Sequence, residues 1–246
     1  SAERVLGVDA SYNLRYGDFK ARISGYYTRI YDQSKVISYY DDVAATFTNF
    51  AMSGIDKVHF GLEAAVSIPI YHTLALNGAV SWGQYTYDSN PYYLQTQDNS
   101  GDIVSDGYVY WKDFRVESTP QTAVNVGLSW RSNNNIYLSA DFNYYNNMYL
   151  SMSPIYRTDA VITGGMAPGD IEHLRRQEKF DSAYTLNASI GKNWYIHRKY
   201  TLGFSLDVKN ILNNQDIKTG GYEQTRLSKN TETTAVSYTH LTLPTT

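Results

Sequence analysis

Apolar and polar residues alternate along much of the chain. In Thr201–Asn210 the apolar residues are Leu202, Phe204, Leu206 and Val208, and each is followed by a small or polar residue. Successive side chains of a β-strand point to opposite faces of a sheet, so this alternation predicts a strand with one apolar and one polar face. Eight segments alternate in this way, and none shows a helical period. Their apolar sets begin at Leu6, Phe19, Phe60, Leu74, Val124, Ile136, Tyr184 and Leu202.

The connections between these strands alternate between short and long. The short ones lie at Gly17–Asp18, Tyr71–Thr73, Ser132–Asn135 and His197–Lys199. The long ones cover roughly residues 32–55, 88–120 and 151–181, and a last one starts at Asn213. Soluble sandwiches do not ordinarily sort their loops in this way, whereas outer-membrane barrels combine tight periplasmic turns with long extracellular loops. The pattern therefore predicts an all-β, antiparallel transmembrane barrel fold.

Aromatic residues recur at two heights on the apolar side of the strands. Next to the short turns are Tyr16, Phe19, Trp130 and Trp194. Eight residues up from the turn side of their strands are Tyr27 (counted from Phe19), Trp82 (from Leu74) and Tyr144 (from Ile136). Eight residues at about 3.3 Å each span roughly 26 Å of strand, or about 20 Å of height when the strand is tilted. This separation predicts an apolar band with an aromatic girdle at each rim. A soluble sandwich whose aromatic residues fill a core is the alternative.

The opposite side of the strands is predicted to form a large polar face. Small soluble barrels fill their interiors with apolar side chains, so a polar face of this size predicts an inside-out arrangement in which lipid covers the apolar side. The residues of the polar face are Asp9, Asn13, Arg15, Lys20, Arg22, Glu63, Asn77, Asn125, Asp141, Asn143, Asn187, Asp207 and Lys209.

Composition excludes several classes of protein. The 246 residues include no cysteine, so a disulfide-stapled module and a cysteine-ligated metal centre are ruled out. Lys and Arg number 21 against 24 Asp and Glu, which leaves no basic excess for binding nucleic acid. No apolar run approaches the roughly 18 residues of a transmembrane helix. Tyrosine is abundant, with 24 residues, whereas a disordered chain is poor in aromatics.

The last twelve residues, 235–246, have a sequence that suggests an origin outside the protein. They resemble a conceptual translation of a common sequencing adapter over their whole length. A strand from Val236 to Leu243 is the alternative. We therefore expect residues 1–234 to be the protein proper and residues 235–246 to be an artefactual tail.

The segment from Asp207 to Asn214 carries a family resemblance. Its apolar alternation closes in Asn210, Leu212, Asn213 and Asn214, and this resembles the penultimate-strand signature of TonB-dependent outer-membrane receptors. The continuation through Gly220, Gly221, Tyr222 and Glu223 is similar to the SusC/RagA branch of that family, as are residues 183–196 and 97–101. The resemblance covers most of residues 1–234 and is strongest over residues 178–225.

The resemblance implies a function and a set of partners. Such receptors are barrels of about 22 strands with an N-terminal plug, and the eight predicted strands would be a C-terminal part that lacks the plug, the TonB box and the final strand. The family imports large nutrients across the outer membrane of Gram-negative cells with energy from the TonB complex. The SusC/RagA-like branch handles glycans and peptides beside a SusD-like surface lipoprotein. No cofactor and no enzymatic activity are implied.

Candidate ligand contacts lie in the long loops. Tyrosine and tryptophan stack on sugar faces and bury area at little entropic cost, so we expect a nutrient ligand to contact Tyr39, Tyr40, Tyr92, Tyr93, Tyr108, Tyr110 or Trp111. Packing of these rings between loops is the alternative. The loop at residues 98–102 lacks the Gly and Glu positions of a calcium loop, and Asp170, Glu172 and His173 favour a solvated loop over a metal site. A soluble carbohydrate-binding sandwich and an outer-membrane enzyme are the alternative functions.

Overall fold

The computed structural model describes residues 2–41, 45–164, 172, 176–197, 199–216, 219–222, 226–227 and 235–238. The chain is all-β, with thirteen strands and two short helical segments in this part. The strands are β1 Arg4–Tyr16, β2 Phe19–Asp41, β3 Thr46–Tyr71, β4 Leu74–Tyr87, β5 Tyr92–Gln97, β6 Ile103–Tyr108, β7 Thr122–Arg131, β8 Ile136–Asn146, β9 Ala183–Ile196, β10 Tyr200–Val208, β11 Thr219–Tyr222, β12 Arg226–Leu227 and β13 Ala235–Tyr238. A 3₁₀ helix covers Ile155–Arg157 and α1 covers Asp159–Thr163.

The main sheet is antiparallel and follows the order of the chain. Its strands are arranged β1-β2-β3-β4-β7-β8-β9-β10, so that all eight predicted strands lie side by side in sequence order. The hairpin β5–β6 attaches to β3, and β12 adds one parallel pairing at the end of β2. The sheet is not closed, because within the described residues β1 pairs only with β2 and β10 pairs only with β9.

The register places the predicted faces on opposite sides of the sheet. Leu62 lies between Gly25 and Trp82, and the next position along β3, Glu63, lies between Ser24 and Ser81. Because a slip of one residue would exchange the two faces, the paired registers keep every apolar set on one side. We name this side the apolar face and the opposite side the polar face.

The predicted long loop over residues 32–55 is wrong. β2 continues to Asp41 and β3 begins at Thr46, so only a short connection separates them. The alternation loses its phase because the register shifts twice between Ile30 and Lys35, with Asp32 at a φ of 59° and Gly54 at a φ of 73°. A bulge of this kind inserts an extra residue and reverses the parity of the strand beyond it.

The other two long connections within the described residues are partly ordered into elements. Residues 88–120 contain the hairpin β5–β6, and residues 151–181 contain the 3₁₀ helix and α1. Thr158 caps α1 because its Oγ1 accepts a hydrogen bond of 3.3 Å from the backbone N–H of Val161. Among the described residues, none belongs to a helix long and apolar enough to cross a membrane.

The hydrophobic core lies at the long-loop end of the sheet and not along its length. We call this region the loop layer; it comprises β5, β6 and residues 109–121 and 147–164, packed on the ends of β2, β3 and β4. Tyr87 and Ile55 have the parity of the polar face, so the loop layer covers that face at its upper end. The buried cluster consists of Tyr39, Phe50, Met52, Ile55, Tyr87, Tyr93, Val109, Trp111 and Ile155.

The predicted tail has a local strand of its own. Ala235–Tyr238 pairs antiparallel with Thr219–Tyr222, in a two-stranded sheet separate from the main one. Residues 239–246, which make up the rest of the predicted tail, lie outside the described residues. The prediction of an artefactual origin concerns the gene and stays a prediction.

Candidate functional site

The apolar face of the sheet is exposed along its whole width. Tyr12 on β1, Leu62 on β3 and Phe204 on β10 are 67%, 55% and 59% exposed, although each belongs to an apolar set. A contiguous apolar patch larger than a few hundred Å² is rare on a soluble monomer and marks a surface that another molecule or a membrane covers. The apolar face is therefore a candidate functional surface.

The predicted girdle residues all lie on this apolar face. Tyr16 is paired with Phe19 at the first short turn, and Trp130 and Trp194 lie beside the later short turns. Toward the long-loop end, Trp82 contacts Phe60 edge to face with their ring centroids 6.3 Å apart. The remaining members of the upper row are Tyr27 and Tyr144.

The upper aromatic row runs obliquely to the hydrogen-bonded rows of the sheet. The hydrogen-bonded row through Tyr27 reaches β4 at Gln84, two residues beyond Trp82. The row through Trp82 reaches β8 at Asn146, again two residues beyond Tyr144. Each offset of two residues accumulates over two strands, which is one residue per strand.

This offset corresponds to a definite tilt of the strands. One residue of about 3.3 Å along the strand for about 4.8 Å across it gives an angle of about 35° between the hydrogen-bonded rows and the aromatic row. Strands of a barrel tilt by about 35–45° from its axis. The aromatic row would therefore be level if the sheet were part of such a barrel.

Hydrogen bonds between side chains join neighbouring strands on the polar face. Asn125 Nδ2 donates to Asn143 Oδ1 at 2.8 Å, and Asn143 Nδ2 donates to Thr185 Oγ1 at 3.3 Å, so three strands are connected in one row. Ser139 and Ser189 hydroxyls lie 2.7 Å apart in a lower row. A face held together by polar side chains can contact water or a polar ligand, but it is unsuited to lipid.

Two tyrosines lie over glycines where the polar face approaches the loop layer. The hydroxyls of Tyr26 and Tyr85 are 2.6 Å apart. A Cβ added at Gly61 or Gly83 would come within 2.6 or 2.7 Å of the Tyr26 hydroxyl, so the two glycines leave the space that the ring occupies. His59 packs against Tyr85 with ring centroids 4.8 Å apart. Tyr26, Tyr85 and His59 thus form an aromatic cluster at the upper end of the polar face, next to the loop layer.

Three of the seven predicted ligand contacts are buried in the loop layer. Tyr39, Tyr93 and Trp111 are only 1–2% exposed. Tyr93 stacks on Phe50 at 4.7 Å and Trp111 stacks on Tyr87 at 4.5 Å between ring centroids. These three rings therefore pack between the loop layer and the ends of β2, β3 and β4, and they present no face to a ligand in this structure.

The other four predicted contacts are half-buried or exposed. Tyr40 contacts Phe47 edge to face at 5.2 Å, and Tyr110 is half-buried. Tyr92 and Tyr108 face each other across β5 and β6, are 40% and 56% exposed, and have their centroids 5.7 Å apart. The structure thus brings two of the seven residues together as an accessible aromatic pair.

An acidic residue that the sequence reasoning missed adjoins this pair. The hydroxyl of Tyr92 donates a hydrogen bond to Asp106. This hydrogen bond, with the nearby negative charge, raises the pKa of the Tyr92 phenol above its ordinary value. Asp106 precedes Tyr108 by two residues, so the period of a strand predicts that both lie on one face. The pairing of β6 with β5, which brings Tyr92 to them, could not be predicted from this period.

The described part of the chain contains no cluster of metal-binding side chains. No group of three or more His, Asp or Glu residues there is arranged to hold a metal ion. Of the residues weighed as metal ligands, Asp170 and His173 lie outside the described residues. Asp98 instead accepts a hydrogen bond of 3.0 Å from Asn49 Nδ2, which fixes the loop after β5.

The asparagines of the family-like motif form a built turn after β10. Asn210 and Asn213 adopt φ angles of 49° and 51°, a left-handed conformation that asparagine tolerates better than most residues. The backbone N–H of Asn210 donates to Asn187 Oδ1 at 2.9 Å, which ties the turn to β9. Leu212 is exposed and Asn214 is buried. Gly220, Gly221 and Tyr222 belong to β11, and Glu223 lies outside the described residues.

Comparisons with protein-family models, with curated proteins and with solved structures found no match for this chain.

Proposed function

We propose that the chain is part of the barrel of an outer-membrane TonB-dependent receptor, similar to the SusC/RagA branch, that imports a large nutrient. The observation that carries this proposal is the exposed apolar face with its oblique upper row of aromatic residues. A soluble sandwich would bury such a face against a second sheet. Among the described residues, the large side chains of the apolar face are exposed and no second sheet packs on them. Lipid is the solvent that suits an apolar band with aromatic rims.

The arrangement of the loops supports the same proposal. The loop layer is built on the end of the sheet that carries the long connections, and the opposite end has only tight turns. Ordered, aromatic-rich loops on one side fit a receptor that meets its nutrient there. In this proposal the TonB complex and a SusD-like surface lipoprotein are partners of the whole receptor, and a glycan or peptide is its cargo.

Adjacent arginine substitutions in β4 test the proposal. Ala79 and Val80 are both exposed, but Ala79 is on the polar face and Val80, 43% exposed, is on the apolar face. If lipid covers the apolar face, Val80→Arg should destabilise the folded protein in phospholipid vesicles by about 1–2 kcal/mol, because Val80 lies between the middle of the apolar band and the upper girdle residue Trp82. Ala79→Arg, the matched control, should change the free energy of unfolding by less than about 0.5 kcal/mol.

The measurement is urea unfolding of the full chain in vesicles, followed by tryptophan fluorescence. Equal and small effects of both substitutions would show that the apolar face is exposed to water, and this result would contradict the proposal. A large effect confined to Ala79→Arg would indicate that the polar face is the buried one.

A further inference from the structure

A patch of three positive charges lies on the polar face at its short-turn end. Arg15 is directly opposite Lys20 in the β1–β2 hairpin, and Arg22 follows Lys20 by two residues on the same face. Side chains directly opposite each other in a sheet have Cβ atoms about 5 Å apart, and positions two apart along a strand are separated by about 7 Å. The three cations therefore share an area the size of a small ligand.

Among the described residues, no carboxylate pairs with these cations. Asp18 lies in the adjoining turn and Glu63 is diagonal to Arg22, yet neither is within 4 Å of a nitrogen of the three residues. In the described part of the chain, Arg15, Lys20 and Arg22 also make no side-chain hydrogen bond to another residue. Like charges directly opposite each other destabilise a sheet. The repulsion between Arg15 and Lys20 therefore destabilises the hairpin, and a bound anion would reduce it.

The patch borders a groove that has room for such an anion. The groove has a volume of about 580 Å³, and its lining includes the three cations together with Asn13, Ser67 and Asn77. Ala65 and Ala79 also line the groove, and their short side chains leave space between the longer polar ones. Amide and hydroxyl groups next to the cations supply neutral hydrogen-bond donors.

We propose that this groove is a binding site for a small organic anion, held through a phosphate or carboxylate group. The planar guanidinium groups of Arg15 and Arg22 can each donate two parallel hydrogen bonds to such a group, and Lys20 adds a point charge between them. The amide and hydroxyl donors on β1, β3 and β4 then suit the polar remainder of the ligand. The site lies on the polar face and is independent of whatever covers the apolar face.

Binding can be measured on the full chain folded in detergent. Glucose 6-phosphate is the phosphate probe, citrate is the carboxylate probe, and glucose is the neutral control, all at matched ionic strength in isothermal titration. We expect saturable binding of one or both anions with one site per chain and none of glucose. Which anion binds more tightly identifies the acidic group that the site prefers.

Substitutions assign the binding to the patch. Lys20→Gln and Arg22→Gln should each weaken binding about tenfold, because each removes one charge-assisted contact. Lys20→Arg keeps the charge and should retain binding. Lys209→Gln removes an exposed cation from the far edge of the polar face and should have no effect.

A second readout separates this role from a structural one. Without anion, Lys20→Gln should leave the melting temperature unchanged or raise it, since it removes the repulsion with Arg15. With anion, only the chain that retains the patch should gain thermal stability. Failure of both anions to bind, equal binding of glucose, or the same loss of affinity in Lys209→Gln would overturn the proposal.

Discussion

The side chain of Asn210 pairs with the backbone of Asn214 through two hydrogen bonds. Asn210 Nδ2 donates to the carbonyl oxygen of Asn214 at 2.9 Å, and Asn210 Oδ1 accepts from the backbone N–H of Asn214 at 3.0 Å. The amide thereby takes the place of a neighbouring strand. Asn214 in turn accepts at Oδ1 from the backbone N–H of Asp216 at 2.9 Å. This chain of contacts explains physically why the motif after β10 is rich in asparagine.

Asn210→Ala should destabilise the chain by about 2–3 kcal/mol. It removes both hydrogen bonds to Asn214 and places alanine at a left-handed φ that asparagine tolerates better. Asn210→Gly should cost about 1 kcal/mol less, because glycine adopts this φ without strain. The measurement is the free energy of unfolding in urea, with Lys209→Ala as the exposed control. Equal costs for alanine and glycine would show that the conformation contributes nothing.

Gly191→Ala should disrupt the pairing of β8 with β9. Gly191 lies opposite Tyr137, and a Cβ at this position would overlap the tyrosine ring. Overpacking of this kind costs about 1–3 kcal/mol. Gly7→Ala is the matched control, because a Cβ there meets only Thr28 Oγ1 at 3.6 Å. In the double variant Gly191→Ala/Tyr137→Ala the clash should vanish, and strict additivity of the two single effects would contradict this account.

Trp111→Ala should unfold the loop layer and leave the pairing of β7, β8, β9 and β10 intact. The ring is buried and stacks on Tyr87, so its removal should cost the loop layer about 3–5 kcal/mol. Hydrogen exchange should then show loss of protection in β5 and β6 but not in β8 and β9. Tyr108→Ala, at a residue 56% exposed, is the control and should change protection in neither region. Loss of protection throughout the sheet would show that the two regions unfold as one.

The Tyr92 phenol should ionise at a higher pH than an ordinary tyrosine. Its hydrogen bond to Asp106 and the carboxylate charge favour the neutral form, which raises the pKa. Any stabilisation from this contact is present below the ordinary tyrosine pKa and is lost as the pH rises through the raised pKa. Difference absorbance against Tyr92→Phe measures the titration. Asp106→Ala should lower the pKa toward its ordinary value, and an unchanged titration would refute the coupling.

The strands and their faces could be predicted from the sequence because the physical signal is local. Alternation over ten residues, as in β10, shows both the strand and its orientation without reference to any other segment. The exposure of Tyr12 and Leu62 on one face then follows once the registers are known. The girdle residues were likewise predictable as members of the apolar face, since parity fixes the side of a strand on which they lie.

The loop layer could not be predicted because its determinants are not local. The bulge at Asp32 and Gly54 shifts the phase of β2 and β3, so the alternation test stops where the strands continue. Tyr39 and Trp111 are buried in one cluster whose members come from several segments between Tyr39 and Ile155 along the chain. A tyrosine-rich loop sequence looks the same whether its rings meet a ligand or each other, and only the packing of Tyr92 and Tyr108 distinguishes the exposed pair.

Within the described residues, the outer strands β1 and β10 of the main sheet each pair on one side only. Eight strands alternate in direction from β1 to β10, so these outer strands run opposite ways. In a closed antiparallel ring every neighbour must be reversed, and any set of strands inserted between β10 and β1 must therefore be even in number. A single added strand would leave one parallel contact, whereas added hairpins restore the pattern. If this sheet closes into an antiparallel barrel, the strands that complete it must therefore come as whole hairpins.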